Sequence, residues 1–250
     1  MKDFIMPKYS VSLILPVYNE DKNIGKMIEK SYRFFQVEER ISNYEVIVVN
    51  DGSRDATADV LSKCRNLYPN LKIVKHKENR GYGAALNSGF KNSSYPNVFF
   101  MDADGQFDIQ DFGKLICYLG RYDIVTGYRR KRQDSLYRII LGKTHTFLIF
   151  LLFGLKLKDV NCGFKLIKRE VLDALNFVYS GPLAYSYILV NANNKGLKIK
   201  EVLVSHYPCR KGKQTGGSLK VIFIAIKELL ELWYRVKVKG RKTKKSVWSK

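Results

Sequence analysis

The chain has 250 residues, of which 46% are hydrophobic and 27% charged, a balance that excludes a disordered chain and leaves ample material for a buried core. Its formal net charge of +21 points to a polyanionic partner: nucleic acid, an anionic membrane surface or a phosphorylated substrate. Cys64, Cys117, Cys162 and Cys209 are scattered without a CxxC pair and only three histidines accompany them, so a structural zinc site is not expected and a reducing cytosol suits the chain.

The N-terminal "MKDFIMPKYS" lacks the apolar core of a signal peptide, so secretion is not expected. "VSLILPV" (11–17), "YEVIVVN" (44–50), "LKIVK" (71–75) and "NVFFM" (97–101) are apolar, β-branched runs of strand length. Helical stretches at 21–35, 55–68 and 83–90 alternate with them. Continuous apolar strands between helices predict an α/β fold with a doubly wound, mostly parallel sheet covered on both faces. Ligands of such sheets bind beyond the carboxyl ends of the strands. At those ends stand Pro16, Tyr18, Asn19 and Glu20, then Asn50 to Ser53, then "ENRGYGAALNSG", then "DADGQ". Beyond Thr126 comes the basic "GYRRKRQDSLYR", then an apolar helical stretch over 139–157. "DVNCGFKLIKREVL" predicts a turn, short strand and helix, and "LKIKEVLVSHYP" a last strand. "SLKVIFIAIKELLELWYRV" predicts an amphipathic to mostly apolar helix, followed by a basic tail. The expected organisation is one domain over 1–218 and a membrane-surface helix with tail over 219–250. The longest apolar run, "FLIFLLFGL", is about half the ~18 residues of a membrane span.

Three motifs fail on inspection. "GYGAAL" has Leu86 at the third glycine of a dinucleotide fingerprint and follows the third strand, not the first. "LGKTH" has Tyr137 at the leading glycine of a P-loop, and no G-x-S-x-G elbow anchors a serine triad. Asp102 and Asp104 are different. Two carboxylates one residue apart repel each other, and desolvation at the end of an apolar strand adds to the cost. Gly105 permits close approach and Gln106 offers another oxygen. Hard cations such as Mg²⁺ or Mn²⁺ take one or two carboxylates together with substrate phosphates, so Asp102, Asp104 and Gln106 are expected to hold one.

"LPVYNE", "VVNDGSRDAT", "NRGYGAALNSGF", "MDADGQFD" and "DVNCGFKLIKREVL", in this order, resemble family 2 glycosyltransferases of the GT-A fold, and among them the dolichyl- or polyprenyl-phosphate branch. The resemblance covers roughly residues 11–220. It implies inverting transfer of a hexose from a GDP- or UDP-sugar to a lipid phosphate. It further implies that Pro16, Tyr18, Glu20 and Asp51 line the base and ribose pocket, with Ser53, Gly81 and Ala103 among the substrate-binding positions. Asp102, Asp104 and Gln106 would hold the metal on the donor diphosphate. Arg129 with Arg130 or Arg132, and Arg210 with Lys220, would hold phosphates. Asp104 and Arg129 would be the catalytic pair. Glu20 at a helix start, and Asp51 and Ser53 as turn and cap residues, also have structural roles open to them.

One departure stands out. Where relatives carry an acid, "PLAYSYILV" has Tyr185, Ser186 and Tyr187. A phosphate monoester needs no general base, because its second pKa is about 6, so an acceptor of that kind tolerates the loss. The alternatives are transfer to a saccharide hydroxyl and a sugar-nucleotide-binding protein without turnover. Basic clusters beside apolar helices predict an anionic membrane surface rather than nucleic acid, with the protein peripheral on the cytoplasmic face and an integral membrane partner allowed.

Overall fold

The order of apolar residues along the central strands dictates two cores. In β1 (Tyr9–Val17), Val11, Leu13, Leu15 and Val17 face one side and Ile14 the other, and all are buried. Alternation of side chains across a strand sends these sets to opposite faces of the sheet. β4 (Asn97–Met101) splits the same way, Phe99 and Met101 against Val98 and Phe100. The computed structural model describes residues 8–175, 177, 179–209 and 219–239.

The sheet also contains β2 (Ile41–Asn50), β3 (Leu71–Lys75), β5 (Ile124–Arg129), β6 (Phe164–Lys168) and β7 (Ile199–Val204). Its seven strands run in the order β3-β2-β1-β4-β6-β5-β7. Every pairing is parallel except those of β6, which is antiparallel to β4 and β5. Helices α1 (Ile24–Val37) and α2 (Thr57–Leu67) supply one core, α1 through Ile24, Ile28 and Phe35. The other core receives α3 (Tyr82–Asn92), α5 (Leu136–Phe153), α6 (Arg169–Ala174), α7 (Ala184–Asn194) and α8 (Leu219–Trp233). The short α4 (Phe112–Ile116) packs Phe112 on Phe99.

The strands and helices expected before residue 101 are all present, with ends moved by a few residues. β5 has no counterpart in the expected elements, because "IVTGYR" runs straight into basic sequence. The reversed direction of β6 is likewise new. It matters for position: an antiparallel strand beside β4 starts where β4 ends, so the "NCG" turn before β6 lies against Asp102, whose N–H donates to Gly163 O at 3.0 Å. α5 is 18 residues long and apolar enough to cross a membrane by length and composition, and most of it is uncovered.

The second core is tight where α3 crosses β1. A Cβ on Gly89 would lie 2.4 Å from Ile14 Cγ2, and Ile14 is fully buried. Helix propensity favours alanine over glycine by about 1 kcal/mol, but overpacking costs about 1–3 kcal/mol. Gly89→Ala is therefore expected to lower stability in urea unfolding; a stability gain would contradict this packing.

Candidate active site

β1, β2, β3 and β4 deliver their carboxyl ends to one edge of the sheet, and the loops that leave them hold one another in place. After β1, Asn19 takes a left-handed backbone (φ 58°), its N–H donates to Ser53 Oγ (2.9 Å) and its Oδ1 accepts from Arg54 N (2.8 Å). After β2, Asn50 Oδ1 accepts from Ser53 N at 3.0 Å. Asp51 is buried and used on both oxygens: Oδ1 accepts from Arg80 N (2.9 Å) and His76 Nδ1 (2.5 Å), Oδ2 from Gly81 N (2.9 Å). His76 Nε2 in turn meets Ser88 Oγ at 2.8 Å. This serine–histidine–aspartate row serves to pin the loop after β3 to the end of β2. Gly81 needs to be glycine: its φ is 94°, and a Cβ would lie 2.8 Å from Ser180 O.

Pro16 and Ala103 are buried, and Tyr18 and Glu20 are half-buried at the rim. Glu20 accepts from Asn23 Nδ2 at 2.7 Å; burial above all, then the charges of Asp55 and Asp102, raises its pKa. Glu20 and the Asp102–Asp104 pair thus share one electrostatic neighbourhood.

The turn after β4 is the centre of that neighbourhood. Asp102 Oδ1 accepts from Tyr82 Oη at 2.6 Å and from Tyr185 Oη at 2.8 Å, and the two phenol oxygens touch each other. Burial raises the Asp102 pKa against the pull of those hydrogen bonds. Asp104 Oδ1 accepts from Gln106 N at 3.0 Å, and burial followed by the Asp102 charge pushes its carboxyl up to about 7. Gln106 is buried, and its amide nitrogen donates to Tyr207 O at 3.0 Å. A Cβ on Gly163 would fall 1.9 Å from Asp102 Oδ2, so only glycine fits beside that carboxylate.

Among the described residues no three histidine, cysteine or carboxylate groups come together to hold a metal unaided. Two crowded carboxylates with raised proton affinity are a donor set that suits a hard divalent cation, provided a ligand supplies the remaining oxygens. The residues present therefore fit such an ion bound jointly with a phosphate.

Cationic side chains lie within electrostatic reach of Asp102. Arg129 forks onto Asp159, Nε to Oδ2 at 2.7 Å and Nη2 to Oδ1 at 3.0 Å, and both side chains are buried. Burial alone would raise Asp159, but the Arg129 guanidinium outweighs it and holds the carboxyl below its ordinary value. Arg132 and Arg138 share Asp134 at 2.9 and 3.5 Å, while Arg130 is exposed. Lys165 is fully buried, with Nζ donating to Val160 O and Cys162 O and lying 4.5 Å over the Tyr185 ring; burial pushes it down to about 8. Arg210 lies outside the described residues. Lys220 falls in the first turn of α8, and its side chain is outside the description.

The structure thus brings Glu20, Asp102 and Asp104 within electrostatic reach of one another with Gln106 beside Asp104, whereas Asp51 and Ser53 are engaged in loop bonds. Tyr82, Asp159, Lys165 and His76 had no role in the sequence reading. Asp159 and Lys165 lie inside "DVNCGFKLIKREVL", and Tyr82 inside "GYG", where the glycines are the stronger signal. At the position of the missing acid, Ser186 is buried beside His145 (3.3 Å) and Tyr187 stacks on Tyr179 with centroids 5.1 Å apart.

A sheet of this order, with acidic residues at its carboxyl edge, has the GT-A arrangement. The family model for glycosyl transferase family 2 matches residues 12–175, and the chain belongs to that family. It is 30% identical over 253 residues to a dolichyl-phosphate beta-glucosyltransferase of Trichomonas vaginalis, covering 92% of this chain and 77% of that protein. It is 29% identical to an undecaprenyl-phosphate 4-deoxy-4-formamido-L-arabinose transferase of Proteus mirabilis, covering 85% of this chain and 64% of that one, just under two thirds of its length. The fold is shared with glucosyl-3-phosphoglycerate synthase of Mycobacterium tuberculosis, solved with Mn²⁺, UDP and glucosyl-3-phosphoglycerate (TM-score 0.68, 17% identity, 90% of this chain and 79% of that one). A mannosyltransferase of Pyrobaculum calidifontis, solved with GDP-Man and Mn²⁺, also matches (TM-score 0.60, 20% identity, 79% of this chain and 56% of that one).

Asp104 makes a pH prediction. Its folded pKa lies above the unfolded value, so between about pH 4 and 7 the folded chain keeps a proton that the unfolded chain has lost. Its contribution to stability falls as pH rises through that window. Asp104→Asn removes the penalty, so in metal-free buffer the melting-temperature advantage of the variant over wild type should grow from pH 4 to 7. A constant difference would contradict the assignment.

Proposed function

We propose that this chain transfers a hexose, with inversion, from a nucleotide-diphosphate sugar to a polyprenyl or dolichyl phosphate. The observation that carries the reading is the Asp102–Asp104 pair: two crowded carboxylates with raised proton affinity, too few by themselves to complete a metal's ligands. Asp102, Asp104 and Gln106 would hold Mg²⁺ or Mn²⁺, which when bound neutralises charge on the diphosphate leaving group. The relatives that act on dolichyl and undecaprenyl phosphates support the acceptor class.

The remaining roles belong to side chains. Pro16, Tyr18 and Glu20 line the entrance to the nucleoside pocket, and Asp51, Ser53 and Gly81 shape its floor by holding the loops after β2 and β3. Arg129, kept ionised by Asp159, adds fixed positive charge felt at Asp102. Such preorganised charge stabilises a leaving diphosphate more than water could. Arg132, with Arg210 and Lys220, recognises phosphate oxygens. No carboxylate stands at 185–187 to deprotonate a hydroxyl, and a phosphate acceptor is already ionised near neutrality. That favours a lipid phosphate over a saccharide hydroxyl.

The acceptor places the protein at a membrane. α5 exposes Leu136, Tyr137, Ile140, Phe147 and Leu151, and α8 exposes Phe223, Ile226, Leu230 and Trp233. Lys143, Lys156 and Lys158 surround Phe147 and Phe150 in an open groove. Apolar faces rimmed by lysine suit an anionic surface, with the protein peripheral on its cytoplasmic side. On this reading residues 1–218 form the transferase domain and 219–250 its membrane-surface segment, although α8 also sends Leu229 and Leu232 into the second core.

Two measurements test the reading. Transfer from UDP- and GDP-sugars to short-chain polyprenyl phosphate should require Mg²⁺ or Mn²⁺ and fall about 100-fold or more in Asp104→Ala; donor binding without transfer to any acceptor would leave a binding protein instead. The protein should sediment with anionic vesicles at low salt and release as salt rises; indifference to such vesicles would sink the membrane assignment.

A further inference from the structure

We infer that Tyr82 and Tyr185 are positioning residues that fix the Asp102 carboxylate for the metal, an inference that rests on the donor-site reading above. The two tyrosines come from the first turns of α3 and α7, 103 positions apart in sequence, and converge on one oxygen, Asp102 Oδ1. Asp102 accepts a hydrogen bond from each, so the carboxylate plane cannot turn without losing two donors.

The surroundings are built to hold this trio. The Tyr82 and Tyr185 rings meet edge to face at 5.3 Å. Tyr185 stacks on Phe100 of β4 at 5.7 Å on one side and has the Lys165 ammonium 4.5 Å from its centroid. A cation over a phenol ring is attracted to it and so helps to hold the ring in place. The main chain cooperates: a Cβ on Gly83 would lie 2.8 Å from Gly181 O, so glycine there lets the 179–181 segment close on α3 and seats α7. On the far side, the absence of a side chain at Gly163 leaves room for Asp102 Oδ2. One carboxylate oxygen is thereby committed to protein donors, and on this proposal the ion would bond to the other. Hydrogen-bond partners of metal ligands typically contribute about 10- to 100-fold in metal affinity.

Free Mn²⁺ can be followed by its electron paramagnetic resonance signal during titration of the full chain in the presence of UDP or GDP. Tyr82→Phe and Tyr185→Phe keep both rings and remove one donor each, so a purely packing role would leave Mn²⁺ affinity unchanged. Each variant should bind Mn²⁺ about 10-fold more weakly than wild type, with the double variant weaker still. Affinities within twofold of wild type, or tighter, in both single variants would overturn the positioning role while leaving the donor site intact. Failure of the wild-type chain to bind Mn²⁺ with either nucleotide would overturn the donor-site reading, and this inference with it.

Discussion

Two like charges held one residue apart at the end of a buried strand are the constraint around which this protein is arranged. Asp102 and Asp104 follow the fully buried Phe99–Met101 segment of β4, and both carboxyls have raised proton affinity: burial raises Asp102 against its hydrogen bonds and nearby cations, and burial followed by the Asp102 charge raises Asp104. A structure with no use for the pair would have hydrated it or replaced one member. Instead the protein spends donors on it: two phenols on Asp102, a main-chain N–H on Asp104, and the buried charges of Arg129 and Lys165 within electrostatic reach. Those donors restrain the carboxylates without discharging them, which leaves the pair poised for a cation.

Topology determines which residues can reach that point. The one strand of reversed direction among the described residues, β6, starts where β4 ends, and so brings Gly163 against Asp102 and Lys165 behind Tyr185. Had β6 run parallel, "NCG" would sit at the opposite edge of the sheet. β5, running parallel to β4, sends Arg129 to the same edge, where Asp159 from the loop after α5 holds it. The two cores make the scaffold rigid, because side chains of β1 and β4 are buried on both faces and cannot shift without opening a void.

Much of this was legible in the residues. Apolar runs separated by helical periods disclosed the parallel half of the sheet, and the polar residues following each run marked the edge where the Asp102–Asp104 pair lies. The Asp102–Asp104 pair stood out because its position after "NVFFM" makes it costly. Other features had no local signature. β5 is short and merges into "RRKRQ", and the direction of β6 is decided by packing between β4 and β5 rather than by its own residues. Tyr82 and Tyr185 look like ordinary aromatic residues until α3 and α7 are brought together. Asp51 reads as a ligand-facing turn residue, yet its oxygens accept from His76, Arg80 and Gly81, contacts between segments 25 to 30 positions apart. Long-range hydrogen bonds of this kind are invisible to spacing rules.

The claim beneath all of this is that a divalent ion joins the β4 carboxylates to the diphosphate of an activated sugar. A crystal structure of the full chain with Mn²⁺ and a nucleoside diphosphate addresses it most directly. The account predicts an ion bonded to the Asp102 and Asp104 carboxylates and to diphosphate oxygens at about 2.1 Å, with Asp102 still held by Tyr82 and Tyr185. A diphosphate bound elsewhere on the sheet edge, or an ion that leaves both carboxylates unengaged, would contradict it.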